Sequence, residues 1–136
     1  MTDTTTSATS QVVYLDTSAA VKLISDESES DALRSYLDAR PIIVSSDLLE
    51  TELRRIGVRH QIDQVLITSV LDGVTLTPLS REQFRDAGFY PQPGLRSLDA
   101  LHLAGALSVD ASAILTYDIR LAEAARAHGL DVVAPA

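Results

Sequence analysis

Five short apolar runs divide the chain: VVYL at 12–15, IIVS at 42–45, VTLT at 74–77, AILT at 113–116 and DVV at 131–133. They are continuous rather than alternating, the pattern of strands covered by helices on both faces. Between them lie segments of helical period, at about 18–25, 29–39, 47–58, 61–71, 80–87, 97–109 and 119–128. Strand and helix alternate throughout. This predicts an α/β fold, a three-layer α/β/α sandwich around a parallel sheet of four to five strands. Such sheets carry their chemistry at the carboxyl ends of the strands, where the strand order reverses.

With 136 residues and no internal repeat, one domain over 12–136 is expected, preceded by a disordered tail over 1–11. The opening MTDTTTSATS is Thr/Ser-rich and lacks the basic start and apolar stretch of a secretory signal. No apolar run approaches the roughly 18 to 20 residues that a membrane span requires. A soluble, cytoplasmic protein is expected, with no membrane partner. Cysteine is absent, which excludes a disulfide framework, a thiolate metal site and a cysteine nucleophile. The formal charge of −8 argues against broad adhesion to nucleic acid through a basic face. It leaves room for an acidic cleft whose bound cations would meet phosphates.

The carboxylates fall at informative places. Asp16 closes the first apolar run and Asp118 follows the fourth, so both stand at strand-to-helix junctions. Each can be an N-cap, accepting an orphan backbone N–H, or a member of a site at the sheet edge. In SSDLLETELRRIG, about 100° per residue puts Glu52 within the stripe of Leu48, Leu49, Leu53 and Ile56, while Glu50 points away. Glu50 lies three residues after Asp47, the spacing of a capping box. An inward Glu52 must instead be paired, protonated or bound to a metal.

LRSLDALHLAGAL at 95–107 is apolar on nearly all sides, as a buried helix is, yet contains Asp99 and His102. Ser97 is the expected N-cap, placing Asp99 in the first turn, where the helix dipole favours negative charge. His102 can share a face with Asp99. It reads as a satisfied core histidine or an outer partner of the site, with His102→Gln expected to keep full activity. The preceding GFYPQPGLR, 88–96, reads as a loop. Three carboxylates at one sheet edge and a fourth on an inward face repel one another unless a cation neutralises them. Oxygen donors without Cys or zinc-spaced His favour Mg²⁺ or Mn²⁺.

Four segments, VVYLDTSAAVKL, SSDLLETELRR, LRSLDALHLAGAL and ILTYDIRLAEAARAHGL, resemble in order and spacing the PIN-domain ribonucleases, most closely the toxins of VapBC-type toxin–antitoxin pairs. The resemblance implies a metal-dependent endoribonuclease with an acidic site of Asp16, Glu52, Asp99 and Asp118. Its Glu52 coincides with the choice made by helical face. Asp16, Asp99 and Asp118 would ligate the cation, and Glu52 would ligate it or orient its water. Ser18 and Thr116 match polar positions beside the acids, and Arg96 a basic position ahead of Asp99. Similar proteins form homodimers and are inhibited by a small VapB-like antitoxin that places a basic side chain in the acidic pocket.

Arg54, Arg55 and Arg59 make the only basic cluster, which can steer RNA or be a solvated, salt-bridged face. A receiver-type signalling domain is the main alternative, but it needs an acidic pair after the first strand, where only Asp16 stands. A haloacid-dehalogenase-type phosphatase would need a second Asp within Asp16-Thr17-Ser18. A PIN-like chain that merely binds a partner would not need all four acids.

Overall fold

The computed structural model describes residues 11–39 and 42–136. The tail expected over 1–11 therefore lies, Gln11 apart, outside the described residues. Strands β1 (Val12–Leu15), β2 (Ile42–Ser46), β3 (Thr75–Thr77), β4 (Ala113–Leu115) and β5 (Asp131–Val133) form one sheet in the order β3-β2-β1-β4-β5. Every neighbouring pair is parallel. The helices are α1 (Thr17–Ala20, continued by a 3₁₀ turn over Val21–Leu23), α2 (Ser30–Asp38), α3 (Leu48–His60), α4 (Gln64–Asp72), α5 (Arg81–Phe89), α6 (Ser97–Ser108) and α7 (Ile119–Ala127).

Because side chains alternate across a strand, β1 feeds both cores. Val13 and Leu15 join Ala19, Leu33, Leu49, Leu53 and Ile67, so α1 to α4 cover one face of the sheet. Tyr14 joins Leu103, Ile114, Leu121 and Ala124 on the other face, under α6 and α7. Helix α5 packs on α6 through Ala87, Ala100 and Ala104. This is the expected three-layer arrangement. Burying an aliphatic or aromatic side chain contributes about 1.5–3 kcal/mol, which makes the fully buried Val13, Tyr14 and Leu15 a rigid spine.

The expected elements are all present, and their ends show what sets a boundary. Gln61 takes the left-handed conformation (φ 56°) that closes α3, and Asp63 caps α4 by accepting from Val65 N–H at 2.9 Å. Helix α5 runs on to Phe89 and takes Gly88 and Phe89 from the expected loop. Two caps differ from expectation. Arg96, not Ser97, is the N-cap of α6, with no side-chain capping bond. Asp47 and Glu50 form no capping box: Leu48 N–H donates to Ser46 Oγ at 3.3 Å, while Glu50 accepts from Arg54 Nε at 2.9 Å. A longer side chain one turn away captured the carboxylate that a cap would have used.

The chain leaves β1 for β2 and β3 on one side and crosses to β4 and β5 on the other. The order therefore reverses between β1 and β4. Asp16 and Asp118 follow these two strands at their carboxyl ends, the place where open α/β sheets carry their chemistry.

Candidate active site

Asp16 ends β1 almost fully enclosed, 2% exposed, and its burial is compensated by donors. Its Oδ2 accepts from Ser18 N–H at 3.2 Å, Ser18 Oγ at 2.6 Å and Thr116 Oγ1 at 2.9 Å. The same hydroxyls reach onward: Tyr117 N–H donates to Ser18 Oγ at 2.9 Å and Asp118 N–H to Thr116 Oγ1 at 3.1 Å. This web laces the end of β1 to the end of β4. Asp16 is thus the N-cap of α1 through Oδ2, while its Oδ1 stands 4.0 Å from His102 Nε2.

Glu52 reaches the same place from α3. Thr17 Oγ1 donates to its Oε1 at 2.8 Å, and His102 Nε2 stands 2.6 Å from that oxygen. Burial pushes the Glu52 carboxyl up, but the hydrogen bond and charge of His102 and the Thr17 hydroxyl outweigh it, and the net shift is downward. Burial likewise lowers His102, yet Glu52, Asp16 and Asp99 together raise it above the ordinary histidine range. The inward glutamate expected from the helical face is therefore paired, as its position demanded.

Asp99 sits half-buried in the first turn of α6. Its carboxyl is driven up to about 6, first by burial, then by the charges of Asp118 and Asp16, with Glu52 adding to them and His102 opposing. Four carboxylates from β1, α3, α6 and the β4–α7 junction therefore share one electrostatic field. Asp118 spends Oδ1 on capping α7, accepting from Arg120 N–H at 2.9 Å and Leu121 N–H at 3.0 Å. Donor chemistry suits a hard divalent cation, since only oxygen ligands are offered. Among the described residues, however, no group of three His, Asp or Glu is arranged to hold a metal ion as the side chains stand.

Of the polar positions expected beside the acids, Ser18 and Thr116 lie against Asp16, whereas Arg96 is exposed at the N-cap of α6. The basic cluster divides. Arg54 binds Glu50, Gln64 and Thr68 and clasps α3 to α4, while Arg55 and Arg59 are exposed. Two residues escaped the sequence reading. Thr17 donates to Glu52, and the Oη of Tyr14 lies 2.8 Å from His102 Nδ1. The period-2 alternation of β1, which turns Tyr14 toward the α6 layer, was the available signal for the latter. His102 also bonds Glu52 rather than its helical neighbour Asp99.

The chain is 44% identical over 132 residues to Ribonuclease VapC35 of Mycobacterium tuberculosis (strain ATCC 25618 / H37Rv), covering 91% of this chain and 97% of that protein. It is 40% identical over 126 residues to Ribonuclease VapC46 of the same strain, covering 90% and 97%. Among solved structures, M. tuberculosis VapC20, described as a sarcin–ricin loop cleaving toxin, superposes with a TM-score of 0.72 at 14% identity, covering 90% of this chain and 99% of that one. VapBC2 of Rickettsia felis, bound to a promoter DNA fragment, gives 0.73 at 19% identity, covering 93% and 100%. At such identities the superpositions speak for the fold alone. The PIN domain family model matches residues 13–127, from β1 to the end of α7, and this chain belongs to the PIN domain family.

Proposed function

We propose that this protein is the toxin of a type II toxin–antitoxin pair and acts as an Mg²⁺- or Mn²⁺-dependent endoribonuclease, residues 12–136 working as one domain in the cytoplasm. The observation that carries the reading is the gathering of Asp16, Glu52, Asp99 and Asp118 near the carboxyl ends of β1 and β4, felt at Asp99 as a carboxyl raised to about 6. The ribonuclease relatives at 44% and 40% identity support the activity. Toxin–antitoxin complexes among the structural neighbours support the partner.

Asp16, Asp99 and Asp118 would hold the cation. When bound, it supplies Lewis-acid charge at the scissile phosphodiester and favours a water as nucleophile. Asp16 offers Oδ1, because Oδ2 already accepts from Ser18 and Thr116. Glu52 keeps Oε1 on Thr17 and His102 and has Oε2 left to orient the attacking water. Arg96, exposed ahead of Asp99, would touch the substrate or cap the loop that leads into α6. The acidic chain, at −8, suits an antitoxin that inserts a basic side chain among these acids, with the toxin acting as a homodimer.

The test is cleavage of a panel of fluorophore-labelled RNA hairpins by the full chain with Mg²⁺ or Mn²⁺. Cleavage is expected to stop on chelation and in Asp16→Ala and Asp99→Ala proteins of unchanged circular dichroism. Folded variants that cut as fast as the parent remove the assignment.

A further inference from the structure

His102 is the one titratable side chain buried within α6, 1% exposed at its side chain, in a helix whose other buried residues are Ala, Leu and Gly. Both its nitrogens are engaged. Nδ1 lies 2.8 Å from the Oη of Tyr14, and Nε2 lies 2.6 Å from Oε1 of Glu52 and 3.2 Å from Oγ1 of Thr17. The Tyr14 and His102 rings meet edge-on, with centroids 5.7 Å apart at 71°. Helix α6 is cut away to admit that phenol: a Cβ on Gly105 would stand 2.9 Å from Tyr14 Oη and 3.2 Å from its Cε2. A side chain at 105 would push the phenol off His102.

Chemistry fixes the protons. A carboxylate only accepts, so Nε2 must carry the hydrogen toward Glu52. In the neutral ring, Nδ1 then accepts from the Tyr14 hydroxyl. In the imidazolium, Nδ1–H donates to the phenol oxygen instead. The contact to Glu52 survives in both states. Burial pushes the Tyr14 phenol up to about 12, so it keeps its proton and never presents a charge to the ring.

We infer that His102 is a positioning residue of the site: pinned at Nδ1 by Tyr14, it holds Oε1 of Glu52 through Nε2–H and so leaves Oε2 as the working oxygen. The device ties together β1, which Asp16 follows, and α3 and α6, which carry Glu52 and Asp99. It rests on the reading of Glu52 as part of a ribonuclease site, though the ring geometry can be tested without any cleavage.

Two measurements decide it. In the metal-free full chain, ¹⁵N NMR of the histidine rings is expected to show His102 protonated at Nε2, with a signal that moves in Glu52→Gln and in Tyr14→Phe. A ring protonated at Nδ1 alone overturns the inference whether or not RNA is cut. In hairpin cleavage with Mn²⁺, His102→Leu is expected to lower kcat about 10–100-fold, the range for partners that orient a ligating or reacting group. KM should stay within about 2-fold, as befits loss of an interaction that matters in the transition state. His102→Gln, whose amide N–H can reach Glu52, is expected to restore kcat to within about 3-fold of the parent. A folded His102→Leu with parental kcat, or a folded His102→Gln as impaired as Leu, overturns the positioning role. If His102→Leu does not fold, Tyr14→Phe takes its place, with reduced kcat at unchanged KM expected and parental kcat overturning. If the parent cuts no RNA, the ribonuclease reading fails while the NMR result still decides the ring's role.

Discussion

The carboxyl end of β1 and the first turn of α6 present aspartates under opposite conditions. Asp16 is 2% exposed, yet three donors converge on one of its oxygens, so its burial does not leave that oxygen without partners. Asp99 is more open, but its carboxylate accepts no hydrogen bond among the described residues and faces the charges of Asp118 and Asp16. Donors, not exposure, decide which carboxylate is comfortable. One half of the site is already assembled by the protein's own hydrogen bonds. The other half is held under repulsion that a cation, a proton or loss of the Asp99 charge relieves.

The largest expected effects attack both aspartates and separate them by stability. If the proposed ligand roles hold, Asp16→Asn and Asp99→Asn should each reduce metal-dependent RNA cleavage on the order of 10³-fold. Asp16→Asn should also destabilise the metal-free fold by about 1 kcal/mol, since it weakens a cap and a charged acceptor. Asp99→Asn should stabilise that fold, raising Tm by a few degrees in calorimetry near pH 7.5. Equal signs for the two variants would break the contrast.

Next comes the cation. Millimolar Mn²⁺ should raise the Tm of the parent in differential scanning fluorimetry; a ligand at about 100 Kd contributes about 2.7 kcal/mol. Asp99→Asn should abolish most of that shift, and a shift of undiminished size would place the cation elsewhere.

The pH dependence sharpens the same point. Asp99 binds its proton more tightly when folded, so the native state carries more protons than the unfolded chain between the ordinary aspartate value and about 6. Stability is therefore fully present below that window and is lost as pH rises through it. Urea unfolding of parent and Asp99→Asn should agree near pH 4 and diverge above pH 6 by about 1 kcal/mol, after solvent screening of a half-exposed group. Divergence at the acid end instead would reverse the sign assigned here.

The smallest effect concerns the arginines. Arg54→Ala should loosen the α3–α4 clasp by about 0.5–1 kcal/mol and leave the salt dependence of RNA binding unchanged. Any steering should reside in exposed Arg55 and Arg59, whose joint removal would flatten the log K against log salt slope by about 1–2.

How much of this was legible beforehand depends on range. Asp16 and Asp118 could be found because a continuous apolar run locates a strand end to within a residue or two, and Glu52 because 100° per residue separates it from Glu50. Caps were less legible. Asp47 is the N-cap of α3 but makes no side-chain capping bond, since Leu48 N–H donates to Ser46 Oγ, and Arg96 stands at the N-cap of α6 where Ser97 was expected. Arg54 joined a cluster by composition and left it by contact, once Gln64 and Thr68 came within reach.

The amino-acid order alone determined the alternation of strands and helices, the parallel three-layer fold and the presence of acids at one sheet edge. These follow from periodicity and strand-end position, which act over a few residues at a time. Tertiary structure alone decided that His102 serves Glu52, 50 positions away, rather than Asp99 one turn away, and that Tyr14, 88 positions away, holds the ring's other nitrogen. It also decided that Asp16 is comfortable and Asp99 is not. Donor geometry and summed charge depend on distances between separate elements, and those distances exist only after the sheet and its two helical layers have packed.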